Sequence, residues 1–165
     1  MNNPLTEKLE ATFKGLKITA PEDGKIVVTT EKHRVEAILR FLKDADFDHL
    51  ALLSAVDRIE EDCFELCFIL TSYLQNNDDL AGSQRGHIIL KTRLPREKPR
   101  CKTAIGIFPN AEPYEREIHE LFGIKFEGHP RLTPLLLERE YGIPPFRKDF
   151  DTRQYVEEVF NKIFR

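Results

Sequence analysis

Tryptophan is missing from this 165-residue sequence, and methionine occurs once. No stretch approaches the ~18 uninterrupted apolar residues of a membrane-spanning helix. The opening Met1-Asn2-Asn3-Pro4 lacks the basic-then-apolar layout of a signal peptide, so a soluble, intracellular protein is expected. Cysteine is scarce, and three is an odd number that argues against a closed disulfide framework. Cys63 and Cys67 would share one face of a strand as small buried hydrophobes; without a second pair they make a poor zinc or iron–sulfur ligand set. The five histidines, at 33, 49, 87, 119 and 129, form no H-x-x-x-H or H-x-H pair. Neither a Gly-rich phosphate loop nor a nucleophile elbow occurs. A net charge of −3 gives no general attraction for nucleic acid or anionic lipid.

What is present in excess is charge of both signs. Charged residues make up 32% of the chain, against about 25% in an average soluble domain. Two readings stay open: ion-pair networks of a thermophilic protein, or a surface that meets other charged subunits. The length is most simply one domain, able to bury roughly 70% of its unfolded surface.

The chain opens as a helix, with Asn3 as cap, Pro4 in the first turn and a stripe of Leu5, Leu9 and Phe13. Gly15 and the turn at 21–24 punctuate it. Lys25 to Thr30 is a short β-branched strand. Thr30 is expected to cap a second helix with core stripe Val35, Ile38, Leu39 and Leu42. His49 to Ile59 is apolar on both faces, as an interior strand would be. After a turn at 60–62, Phe64, Leu66, Phe68 and Leu70 alternate with Glu65, Cys67 and Ile69. A polar loop at 75–86 is long for a hairpin and is expected to be mobile. Ile88, Leu90 and Leu94 close the sheet against His87, Lys91 and Arg93 outside. The result is a β-α-β-β-β order, an α+β fold with a mixed sheet and helices on one face. Residues 1–100 would form this domain, and a proline-rich helical segment, 101–165, would pack on it and carry the docking surface.

Residues 93–102 are a basic, proline-broken connector, a solvated loop with RNA contact as an alternative use. Beyond it comes a dense charged stretch from Glu115 to Pro130. Ala111, Tyr114, Ile118, Leu121 and Phe122 form the apolar face of a helix begun at Asn110 or Glu112. Arg116 and Glu120 fall opposite at i,i+4 spacing, where they can pair. Gly123 sits where a left-handed C-cap residue is wanted, and Gly128-His129-Pro130 makes a second turn. Glu115, Arg116 and Glu117 are expected to be partly buried against Arg147, Lys148 and Asp149, fixing how the C-terminal segment folds over the domain. Alternatively they belong to a solvated amphipathic helix. A last helix, begun by a capping-box-like Asp151 and Gln154, carries a wide apolar face of Tyr155, Val156, Val159, Phe160, Ile163 and Phe164. It would pack on its own domain or dock on a neighbour.

The run Tyr114-Glu115-Arg116-Glu117, continued by Leu121 to Pro130 and by Arg147-Lys148-Asp149-Phe150, resembles the signature of the C-subunit family of respiratory complex I. That NADH:quinone oxidoreductase family also supplies subunits to membrane-bound [NiFe]-hydrogenase-type complexes. Leu53-Ser54-Ala55-Val56-Asp57 and Ile107-Phe108-Pro109-Asn110-Ala111 fit more loosely. The resemblance spans roughly residues 30 to 150 and is specific over 109 to 150. It implies a peripheral-arm scaffold subunit with no catalytic residue, bound metal or cofactor of its own. Its expected partners are a hydrogenase-like large subunit, an iron–sulfur small subunit and other peripheral-arm subunits, on the cytoplasmic side of the membrane. Electron transport through those neighbours would drive ion translocation. Glu115, Arg116, Glu117, Phe122, Gly123, Gly128, His129, Pro130, Arg147, Lys148 and Asp149 would then be structural or interface residues.

The sequence departs from that pattern in places. His119 stands for an aromatic residue, Glu120 for Asp, Arg131 for an acidic residue and Ile143 for His. A fused large subunit after the C-terminus is not expected. These differences suggest a branch away from ordinary NADH-linked enzymes, one fed by ferredoxin for example. The alternative to a scaffold is a stand-alone enzyme, for which His119 beside Glu115 or Glu120 is the available acid–base arrangement.

Overall fold

The computed structural model describes residues 4–19, 25–72, 86–138 and 141–163. The expected Asn3 cap, the turn at 21–24, all but the last residue of the 75–86 loop, and Phe164 lie outside the described residues.

Helix α1 (Pro4–Thr12) places Leu9 in the core, with Leu5 and Phe13 packed at its margin. Strand β1 (Lys17–Thr19) follows Gly15, whose φ is +79°. Three residues are too few for a periodic pattern, and the sequence did not announce this strand. Strand β2 runs Lys25–Thr30 as expected. A short 3-10 turn (Lys32–Arg34) then leads into α2 (Val35–Asp44), whose Val35, Ile38, Leu39 and Leu42 are buried as the stripe required. Thr30 is not its cap. The intervening turn moves the helix start to Val35, and the buried Thr30 hydroxyl is left with no partner among the described residues.

Strands β3 (His49–Arg58), β4 (Cys63–Thr71) and β5 (His87–Pro95) complete a five-stranded mixed sheet of order β1-β2-β5-β4-β3, in which only β2 and β5 run parallel. The fold is α+β, as expected. However, β3 is an edge strand and not an interior one. Its two apolar faces have separate causes. A register shift between Leu50 and Leu52 re-aims the strand, so Leu50, Leu53, Ala55 and Asp57 are buried while Leu52 and Val56 remain exposed. The open edge is partly covered by side chains from the next helix: Asn110 Nδ2 donates to Leu50 O (2.7 Å) and Tyr114 Oη to Ala51 O (3.2 Å).

The connector is not a bare loop. Arg100–Lys102 forms β6, which pairs in parallel with β7 (Lys125–Glu127) across helix α3 (Ala111–Phe122). Cys101 and Phe126 are buried there. Helix α4 (Thr152–Ile163) begins where Asp151 Oδ1 accepts the amides of Arg153 and Gln154. One core joins Leu9, the α2 stripe, Ala111 and Ile118 to the inward residues Phe64, Leu66, Phe68, Ile88 and Leu90. Among the described residues, no helix is long and apolar enough to cross a membrane.

Candidate functional site

Helix α3 carries the charged signature, and its charges are distributed over three separate tasks. Spacing of 3.6 residues puts Glu115 in line with Ala111, Ile118 and Phe122, and it is fully buried. Its Oε2 accepts from Thr103 Oγ1 and its Oε1 from the Ala104 amide, both at 2.6 Å. Burial raises its pKa to about 7 against the lowering effect of those two donors. Glu115 therefore seats the turn after β6 and makes no contact with the C-terminal cluster.

The outer face holds the chain that returns over the helix. Arg116 donates from Nε to Thr133 O (3.0 Å) and from Nη2 to Pro134 O (2.9 Å). One turn on, the Glu120 carboxylate accepts the amides of Leu135, Leu136 and Leu137. Despite burial, those three amides hold its pKa below the usual carboxylate range. The i,i+4 pair expected between Arg116 and Glu120 is thus replaced by a clamp that reads both polarities of one backbone segment. Arg116 finds its carboxylate at Glu112, 3.4 Å away. Glu117 is exposed.

The turns carry the segment into position. Gly123 caps α3 with φ +79°, and its amide donates to His119 O. A Cβ at this position would stand 3.1 Å from Pro144 Cγ. Gly123→Ala is expected to cost about 1–2 kcal/mol from the left-handed backbone alone. The close approach adds to that, and thermal denaturation should show a Tm lower by several degrees. Gly128 has φ +88° and lies under Thr103. The Arg131 amide donates to His129 Nδ1 (2.9 Å), so Nε2 carries the proton facing Glu112 O at 3.4 Å. His119 Nδ1 lies 2.9 Å from Ile124 O, so the imidazole serves the end of its own helix.

The segment ends in a latch built from residues far apart in sequence. Asp57 at the end of β3 and Arg96 just past β5 are both buried and paired side chain to side chain. Arg96 Nη2 reaches Asp149 Oδ1 at 2.7 Å, and the Lys148 amide donates to Asp57 Oδ2 at 2.8 Å. Arg147 grips Asp149 with two hydrogen bonds of 3.0 and 2.9 Å. That grip, with help from Arg96, holds the Asp149 carboxyl well below its ordinary range. Both guanidiniums lie over the Phe64 ring, Arg96 at 5.2 Å and Arg147 at 5.6 Å. Phe64 meets Phe122 edge-on, and Phe122 meets Phe146, so an aromatic row runs beneath the latch. The Phe146 amide also donates to Leu121 O, closing an open carbonyl at the end of α3. Lys148 Nζ approaches Glu60 at 3.8 Å.

The C-terminal cluster therefore pairs with Asp57, Arg96 and Glu60, not with Glu115, Arg116 and Glu117. Sequence reasoning missed Arg96, which it read as part of a solvated connector, and Phe64, which it read as core alone. The remaining connector cations also have carboxylate neighbours: Arg93 with Glu61, Lys98 with Glu97, Arg100 with Glu127 and Lys102 with Glu36. That disposition weakens the RNA-binding alternative. Exposed apolar side chains remain on the strapped segment at Leu135, Leu136, Ile143 and Phe146, with Leu136 at 61%, and on α4 at Val156 and Phe160.

Fold and site together define an α+β domain crossed by a latched C-terminal strap, with Glu115, Arg116, Glu120, Arg147 and Asp149 bonded to its own backbone and to its own side chains. The family described as the 30 kDa subunit of respiratory-chain NADH dehydrogenase matches residues 28–156. The C subunit of the F420H2 dehydrogenase of Methanosarcina mazei is 34% identical over 129 residues, covering 77% of this chain and 76% of that one. The C subunit of the NADH-quinone oxidoreductase of Novosphingobium aromaticivorans is 33% identical over 138 residues, covering 82% of this chain and 41% of its relative. Among solved structures, a chain of an archaeal respiratory membrane complex, the membrane-bound sulfane sulfur reductase, superposes with TM-score 0.77 at 26% identity. That match covers 95% of this chain and 89% of the other. The chain belongs to the family of 30 kDa, or C-type, subunits of complex I-like dehydrogenases, as its signature implied.

Proposed function

We propose that this chain is a non-catalytic scaffold subunit in the peripheral arm of a complex I-related, membrane-associated redox complex. Residues 1–100 supply the α+β body, and residues 101–165 supply the surface that docks a hydrogenase-like large subunit and an iron–sulfur small subunit. Electrons pass through those neighbours, on the cytoplasmic side, and drive ion translocation. The observation that carries this reading is the strap. Thr133, Pro134, Leu135, Leu136, Leu137, Lys148 and Asp149 are bonded from within, by Arg116, Glu120, Asp57 and Arg96, while the side chains of Leu135, Leu136 and Phe146 stay exposed. A segment fixed this firmly, yet apolar on its outer side, is suited to bury that side against another protein.

The test uses the native assembly isolated through a tag on this chain. Leu135→Glu with Leu136→Glu should strip the large and small subunits from the preparation, while the Tm of the isolated chain stays within a few degrees of wild type. An assembly of unchanged composition would refute the docking role of this face.

A further inference from the structure

Away from the strap, a cavity of about 740 Å3 opens between the α1–β1 turn, the 3-10 turn before α2 and the end of β5. Its walls include Lys14, Lys17, Lys32, Arg34 and Arg93, against the carboxylate of Glu31. This is a concentrated positive site on a chain whose net charge is −3. Glu31 is turned toward His33, 3.2 Å away. Arg93 is already paired with Glu61. Lys14, Lys17 and Lys32 are exposed and have no acidic partner among the described residues. Arg34 Nη1 donates to Lys14 O at 2.6 Å, tying the backbone of one wall to the other.

We propose that this cavity is a docking site for an extended, carboxylate-rich peptide segment of a neighbouring subunit. Three features select that ligand. The amides of Arg34 and Val35 are already donated to Glu31 O and Lys32 O, so they supply no converging backbone donors of the kind that cradle a compact phosphate. A nucleic acid strand needs rings to stack on, and no aromatic side chain lines the walls. What the site offers is three exposed lysines, Lys14, Lys17 and Lys32, carried on separate elements of its rim, a distribution that suits several carboxylates along one chain. The assembly reading supplies only the source of the segment; the binding chemistry stands without it.

Fluorescein-labelled hexaglutamate, titrated into the full chain at low salt, should show saturable binding by anisotropy that weakens as salt is raised. The triple variant Lys14→Glu, Lys17→Glu, Lys32→Glu should weaken binding by roughly tenfold or more. The equally charged control Lys8→Glu, Lys98→Glu, Lys125→Glu should change it by less than about twofold. Equal loss in both variants, or no saturable binding, would overturn the proposal. So would saturable binding of tripolyphosphate, or of phosphatidylserine vesicles, that is lost in the cavity variant while the peptide fails to bind. All of these readouts use the isolated chain, so they are separate from the success or failure of subunit docking at the strap.

Discussion

Arg96→Met is expected to destabilise the fold by about 3–5 kcal/mol, because it leaves Asp57 charged, buried and without its partner. Asp149 loses one of its two guanidinium contacts in the same step. The strap should then open at its C-terminal end, and limited proteolysis should cut between Phe126 and Phe150 far faster than in wild type. The double variant Asp57→Leu, Arg96→Met separates the two effects. Removing both charges together relieves the buried carboxylate, so much of the stability should return. The Lys148 amide has no acceptor in that protein, however, and the strap should remain sensitive to protease. Recovery of protection along with stability would show that the latch contributes nothing specific to docking the segment.

The second large effect is a pH dependence centred on Glu115. Its folded pKa, about 7, lies above the ordinary value of 4.5, so the fold favours the neutral acid. The contribution is therefore fully present below about pH 4.5 and is lost as pH rises through about 7. At about 1.4 kcal/mol per pKa unit, Glu115 costs the native state about 2–3 kcal/mol at pH 8 relative to pH 4.5. Glu115→Gln keeps an oxygen for the Ala104 amide and offers its own amide to Thr103. It should be the more stable protein at pH 8, with the advantage vanishing near pH 4.5. Denaturant melts of both proteins across that range measure the difference. The depressed Asp149 acts in another window, giving stability above about pH 4 that is lost on further acidification, and it cancels in the comparison. Identical pH profiles for the two proteins would mean that Glu115 ionises in the fold as it does in water.

Local periodicity made most of the elements legible. The α2 stripe, the alternation in β4 and β5, the Gly123 cap and the Asp151 cap all depend on neighbours within a few residues, and the structure shows each of them. Short pieces were not legible, because β1, β6 and β7 have three residues each and acquire strand geometry only from a distant partner. Nor was the place of β3 legible, since an edge strand with a register shift reads as apolar on both faces, just as a central strand does.

The charged signature marks the same division. The sequence determined that Glu115 to Pro130 is a helix followed by two turns, that Arg116 and Glu120 share its outer side, and that the chain belongs with C-type subunits. It could not determine what those charges hold. Asp57 and Arg96 are 39 residues apart, and Lys148 reaches Asp57 across 91. Such pairings depend on where whole elements pack, and local sequence physics is blind to them. Only the tertiary structure decided that Glu115 is a buried seat for the turn after β6, that Arg116 and Glu120 clamp a backbone, and that Arg96 is the centre of the latch.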